Sequence, residues 1–166
     1  VLALGTVLWA VAGNAGMPVP GWRSEVGKPS PMLLLKAGMG SVDAQYEAGR
    51  LYMRGNRWKE AVPWYEKAAA QGYADAAYKL GRLYDDAHDK TKAGQYYETA
   101  RQQWEKAANA GDADAQYQLG FMYETGQGVE QDYRRAAQWY EKAAAQGHAQ
   151  AQYQLGSLYR EGLGVE

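Results

Sequence analysis

Apolar positions along most of this chain fall at helical spacing. Ala44, Ala76, Ala115 and Ala151 are each followed four residues later by Ala48, Leu80, Leu119 or Leu155, and then by Leu51-Tyr52, Leu83-Tyr84, Met122-Tyr123 or Leu158-Tyr159. Offsets of four, seven and eight lie on one helical face, which predicts four related amphipathic helices. A second stripe, Ala61, Trp64, Tyr65, Ala68 and Ala69, returns as Ala136, Trp139, Tyr140, Ala143 and Ala144 and predicts a second helix per unit. Small alanines beside large rings let two helices approach and interlock, so tryptophan and tyrosine are both expected in the core. Glycine sets the period. Ala48-Gly49, Leu80-Gly81, Leu119-Gly120 and Leu155-Gly156 are 32, 39 and 36 residues apart. A second series, Gly72, Gly111 and Gly147, offers the left-handed residue that ends a helix, and Ser41 and Asp112 are placed to cap the helix that follows. Residues 41–166 therefore read as antiparallel helix pairs, three complete and the fourth truncated after its first helix.

The first forty residues follow another pattern. No charged side chain occurs from Val1 to Trp22, and Val1 to Ala12 is almost wholly apolar. Residues 1–16 read as an apolar helix serving as a membrane anchor, with the repeats in the periplasm. The alternative is a signal segment cleaved after Ala10 and Ala12, releasing the chain to the periplasm. Residues 17–40 read as a linker and an N-terminal cap: Pro18, Pro20, Pro29 and Pro31 favour extended chain, and Met32 to Met39 suits a short helix covering the first repeat. At the other end, an unpaired last helix predicts that the protein continues or that another chain covers it.

Composition narrows the chemistry. Eighteen basic and nineteen acidic side chains leave a net charge of −1, with no global attraction to nucleic acid or anionic lipid. Without cysteine there is no disulfide, thiol nucleophile or thiolate metal site. Fourteen tyrosines and six tryptophans beside a single phenylalanine suit packing between helices and protein interfaces.

The stretch Gly120 to Glu166, GFMYETGQGVEQDYRRAAQWYEKAAAQGHAQAQYQLGSLYREGLGVE, closely resembles the Sel1-like repeat (SLR) family, relatives of the tetratricopeptide repeats. The resemblance covers about residues 41 to 166 and is most specific in the third unit. It implies an all-α, right-handed superhelix, an α-solenoid, and an adaptor that holds other proteins together. Some secreted members are cysteine-rich and this chain is not. The first unit lacks the long G-x-G-V loop, having only Gly55-Asn56-Arg57; the second carries its extra residues between Asp85 and Gln95 and has Gln103 in the column of Trp64 and Trp139.

No catalytic, cofactor-binding or metal residue is assigned. Asp85-Asp86-Ala87-His88-Asp89 holds possible cation ligands, yet its place at a helix end reads as a solvated loop; His148 reads as a turn residue, and Gly126-Gln127-Gly128 as an inter-helix turn. Protein binding is assigned instead to one face of the first helices: Tyr46, Tyr78, Tyr117 and Tyr153 three residues before the aligned glycines, Arg50, Arg82, Phe121 and Ser157 one after, and Glu124 four after. In the related tetratricopeptide repeats the corresponding face resembles the lining of the inner groove, and Phe121 is the expected anchor. The alternative is that the tyrosines pack between helices. Three function classes follow: an interaction scaffold or accessory subunit of a membrane-bound envelope complex, an envelope carbohydrate- or peptidoglycan-binding module, and an envelope hydrolase.

Overall fold

The computed structural model describes residues 27–164. The anchor or signal segment expected at residues 1–16 and most of the linker before the cap lie outside the described residues. Eight helices occur among the described residues: α1 Pro31–Gly38, α2 Val42–Arg54, α3 Trp58–Ala70, α4 Ala74–Asp86, α5 Lys90–Asn109, α6 Ala113–Thr125, α7 Tyr133–Ala145 and α8 Ala149–Glu161. Each packs chiefly on its neighbours in sequence, α2 on α3, α3 on α4, and so to α8, as an α-solenoid of antiparallel pairs requires. None of these helices is long and apolar enough to cross a membrane.

The helix ends obey the local chemistry. Ser41, Asp112 and Asp132 accept the amide N–H groups of Ala44, Ala115 and Arg135, capping α2, α6 and α7. His148 does the same for α8 through Nδ1, accepting from Ala151 N–H at 3.1 Å. Gly72, Gly111 and Gly147 take φ of +91°, +98° and +85°, and the following amides close back on Ala68, Ala107 and Ala143. Asp85 pairs with Lys90 and Asp89 caps α5, so the acidic cluster around His88 organises a helix start.

The core is a column of tyrosines seated on glycines. Gly49, Gly81 and Gly120 are buried beneath the rings of Tyr65, Tyr97 and Tyr140, where an added Cβ would come within 2.7, 2.6 and 2.5 Å of ring carbons. Tyr65, Tyr97 and Tyr140 are 2%, 4% and 0% exposed. The expectation that Trp64 and Trp139 share this core is corrected: both are only half-buried, and each lies under a lysine, Lys67 at 4.6 Å and Lys142 at 4.0 Å from the ring centre. They sit one residue before the core tyrosines, which turns them about 100° away from the partner helix.

The second unit needs a further correction. Its extra residues do not fall between Asp85 and Gln95, because Tyr97 follows Gly81 by the same 16 residues that separate Tyr65 from Gly49, and only Ala87 to Asp89 separate α4 from α5. They are two added turns of helix: α5 has 20 residues where α3 and α7 have 13. Seven residues are close to two whole turns, so Tyr97 and Trp104 keep the same face. Tyr97 occupies the place over Gly81, and Trp104, the sequence counterpart of Tyr65, is buried seven residues further on against Tyr78 at 5.3 Å.

Gln103 also gains an account. Gln45 and Gln116, buried at the start of α2 and α6, donate to the carbonyls of Ala37 and Ala108, and their own oxygens accept from Gln71 and Gln146. The second unit has Ala77 in that column, and Gln103 reaches across from α5 to donate to Ala69 O at 3.2 Å instead. This buried amide ladder ties each repeat to the one before it.

Candidate protein-binding face

The first-helix face predicted from the sequence divides into packed and open positions. Its tyrosines are largely interior. Tyr46 lies against Tyr65 and Tyr73 with ring centres 5.6 and 4.8 Å away; Tyr117 lies against Tyr140 and His148 at 5.7 and 4.8 Å. Tyr78 is 7% exposed, between Tyr97 and Trp104, and its hydroxyl donates to Gln127. Tyr153 of α8, with no second helix beside it among the described residues, is 71% exposed. Burial raises Tyr46 and Tyr97 to about 12, and drives Tyr65 and Tyr140 higher still.

Phe121 is half-buried and packs against both core clusters, the one running from Ala61 to Met122 and the one from Ala136 to Leu158. It seals the junction between repeats. Glu124 accepts from the Tyr140 hydroxyl and from Gln154 Nε2, so its carboxylate is used internally. Ser157 donates to Glu161 within α8.

The positions that stay open are the arginines. Arg50 and Arg82 are exposed and stand on either side of a cleft of about 340 Å³ between α2 and α4. Arg54 and Lys79 extend its walls, Met53, Tyr65 and Leu83 lie along it, and Asp86 is its single acid. Arg50 is paired with Glu47 at 2.8 Å, whereas Arg54, Lys79 and Arg82 have no ion pair among the described residues.

Loop length explains why the cleft is here and not one repeat later. The α6–α7 loop, Gly126 to Asp132, is four residues longer than the α2–α3 and α4–α5 loops. It folds back so that Gly128 lies flat on Tyr97 and Gln127 takes the Tyr78 hydroxyl. The loop thus covers Tyr97, whereas the short α4–α5 loop leaves the corresponding space beside Tyr65 open. Sequence reasoning named Arg50 and Arg82 but missed Arg54, one turn beyond Arg50 on α2, and Lys79, one turn before Arg82 on α4; only the gap between the two helices gathers all four on one cleft. No three metal-binding side chains converge among the described residues.

Fold and face together define an α-solenoid of helix-pair repeats whose first helices flank open clefts. Residues 42–73, 74–112, 113–148 and 149–166 match the Sel1 repeat, and the chain belongs to that family. Repeats of this family generally mediate protein–protein interaction. A Sel1 repeat protein from Oxalobacter formigenes is 35% identical, with a TM-score of 0.60 over 81% of this chain and 54% of its own, so this chain spans about half the length of that relative. The protective antigen c5321 of uropathogenic Escherichia coli, which displays an SLR fold, is 31% identical over 81% of this chain and 37% of its own, with a TM-score of 0.42. No curated protein matches the chain.

Proposed function

We propose that this protein is a non-enzymatic adaptor or accessory subunit of a membrane-associated envelope complex, held at the membrane by residues 1–16 with its repeats in the periplasm. The observation that carries the adaptor role is the open cleft between α2 and α4 in a repeat family that binds proteins. A rigid pair of helices presents unpaired charge on both sides of an apolar strip, a surface that orders little on binding and so loses little entropy. The uncharged run from Val1 to Trp22 supports the membrane placement.

Affinity purification of the tagged chain from detergent-solubilised membranes tests both parts. A stoichiometric protein partner and retention in the membrane after carbonate washing are the expected results, since screening charge does not release a buried apolar span. Recovery of a soluble mature chain beginning at Gly13 or Gly16 removes the anchor. Retention on peptidoglycan without a protein partner, or substrate turnover by the isolated chain, removes the adaptor in favour of a carbohydrate-binding module or a hydrolase.

A further inference from the structure

We propose that the cleft between α2 and α4 binds an acidic, extended segment of a partner protein, with side-chain carboxylates between the two basic walls and an apolar side chain over Met53 and Leu83. The inference rests on the adaptor reading and names the class of segment it grips.

Comparison of equivalent positions in the repeats supplies the argument. In the third unit the buried Tyr140 hydroxyl donates to Glu124, a carboxylate four residues after Gly120. The same position in the first unit is Met53, four residues after Gly49, so Tyr65 has no acceptor from its own repeat. No hydrogen-bond partner for the Tyr65 hydroxyl occurs among the described residues, and the side chain lines the cleft. Tyr97 also lacks a partner, but its hydroxyl is sealed from solvent. Of the buried tyrosines among the described residues, Tyr78 and Tyr140 already donate and Tyr97 is sealed, which leaves Tyr65 to an acceptor entering the cleft.

Charge points to the same ligand. Arg50 and Arg54 stand on one wall, Lys79 and Arg82 on the other, against Asp86 alone among the lining residues. Arg50 already shares its charge with Glu47 and Lys79 lies within Coulombic reach of Asp75, but Arg54, Lys79 and Arg82 make no ion pair among the described residues and face one acid in the cleft. A chain whose net charge is −1 has concentrated positive charge where an acceptor is missing. Guanidinium groups on opposite walls suit carboxylates spaced along a strand-like segment, each taken by paired N–H donors. Between the walls Met53 and Leu83 present apolar surface, so a leucine-sized side chain gains burial that a purely ionic ligand does not.

The test is an array of short peptides blocked at both ends, each with a leucine between two glutamates at successive spacings in a glycine–serine frame, beside twins carrying glutamine. Fluorescence anisotropy with the intact chain is expected to show at least one spacing at which the glutamate peptide binds about tenfold more tightly than its twin, the gap narrowing as salt rises. The double variant Arg50→Gln/Arg82→Gln is expected to lose that preference with an unchanged melting temperature, and Tyr65→Phe to weaken binding about tenfold or more, the loss of one hydrogen bond to a charged group. No glutamate preference at any spacing, or a preference that survives the double variant, overturns the proposal. So does binding that appears only when the peptide carries a free C-terminus, or equal binding by an oligodeoxynucleotide of similar length. The adaptor reading is tested apart: a stoichiometric partner that co-purifies undiminished with the double variant overturns the cleft and leaves the adaptor standing, whereas no partner for the wild-type chain overturns the adaptor.

Discussion

At the residue scale this molecule depends on the absence of a methyl group. Gly49, Gly81 and Gly120 stand in helix interiors, where glycine costs about 1 kcal/mol relative to alanine. The cost is offset because a tyrosine ring lies flat on each backbone. Gly120→Ala is therefore expected to destabilise the protein by about 1 to 3 kcal/mol, since the new Cβ meets the rigid, fully buried Tyr140 ring. Gly156 occupies the same column in α8 but has nothing within 4 Å of an added Cβ. In this chain Gly156→Ala should stabilise by about 0.5 to 1 kcal/mol through helix propensity alone. Urea unfolding of the two variants reads the difference. Equal signs would mean that the glycine column serves flexibility and not close approach.

At the element scale the informative helix is α5. Its first 13 residues stand to α4 as α3 stands to α2, with Tyr97 over Gly81. Its last 13 stand to α6 as a normal second helix stands to the next repeat, with Gly128 on Tyr97 as Gly164 lies on Tyr133. The two roles overlap by six residues, and the later repeats are displaced along the helix axis by about 10 Å, the rise of seven residues. Deletion of Arg101 to Ala107 joins Ala100 to Ala108, restores a 13-residue helix and keeps the apolar face in phase. That variant is expected to retain native helicity by circular dichroism and a single cooperative melt. Deleting Arg101 alone turns everything beyond it by about 100° and should abolish cooperative docking of α6 to α8. If both deletions melt alike, the helix length is not set by phase.

At the scale of the whole molecule the aromatic column makes stability depend on alkaline pH. The folded state holds Tyr46 and Tyr97 protonated up to about 12, and Tyr65 and Tyr140 beyond that, mainly because burial penalises the phenolate. An unfolded tyrosine ionises near 10. Between those values the unfolded chain releases protons that the folded chain keeps, so this contribution is complete below pH 10 and is lost as pH rises toward 12. Melting temperature should be flat with respect to these groups through neutral pH and fall steeply above pH 10. Phenolate absorbance should lag in the folded protein until it unfolds, and tyrosines that titrate near 10 while the fold persists would contradict the packed column.

Sequence alone determined the helix pairs, their caps and their period, because short-range spacing, capping chemistry and left-handed glycines act within a few residues of themselves. It also determined that the second and third units are longer than the first. Where those residues went was decided by tertiary structure: seven residues turn a helical face by only about 20° and extend α5, whereas the four of the third unit sit in a loop that folds back onto Tyr97 and Tyr78. Which of two adjacent aromatics is buried was settled the same way, by the helix opposite. For the binding face, adjacency along α2, α4 and α6 named Arg50 and Arg82 but equally named Tyr78 and Phe121, since all occupy one side of the first helices. Only the gap between the two helices, unfilled because the α4–α5 loop is short, separates side chains that meet solvent from those that meet the next repeat.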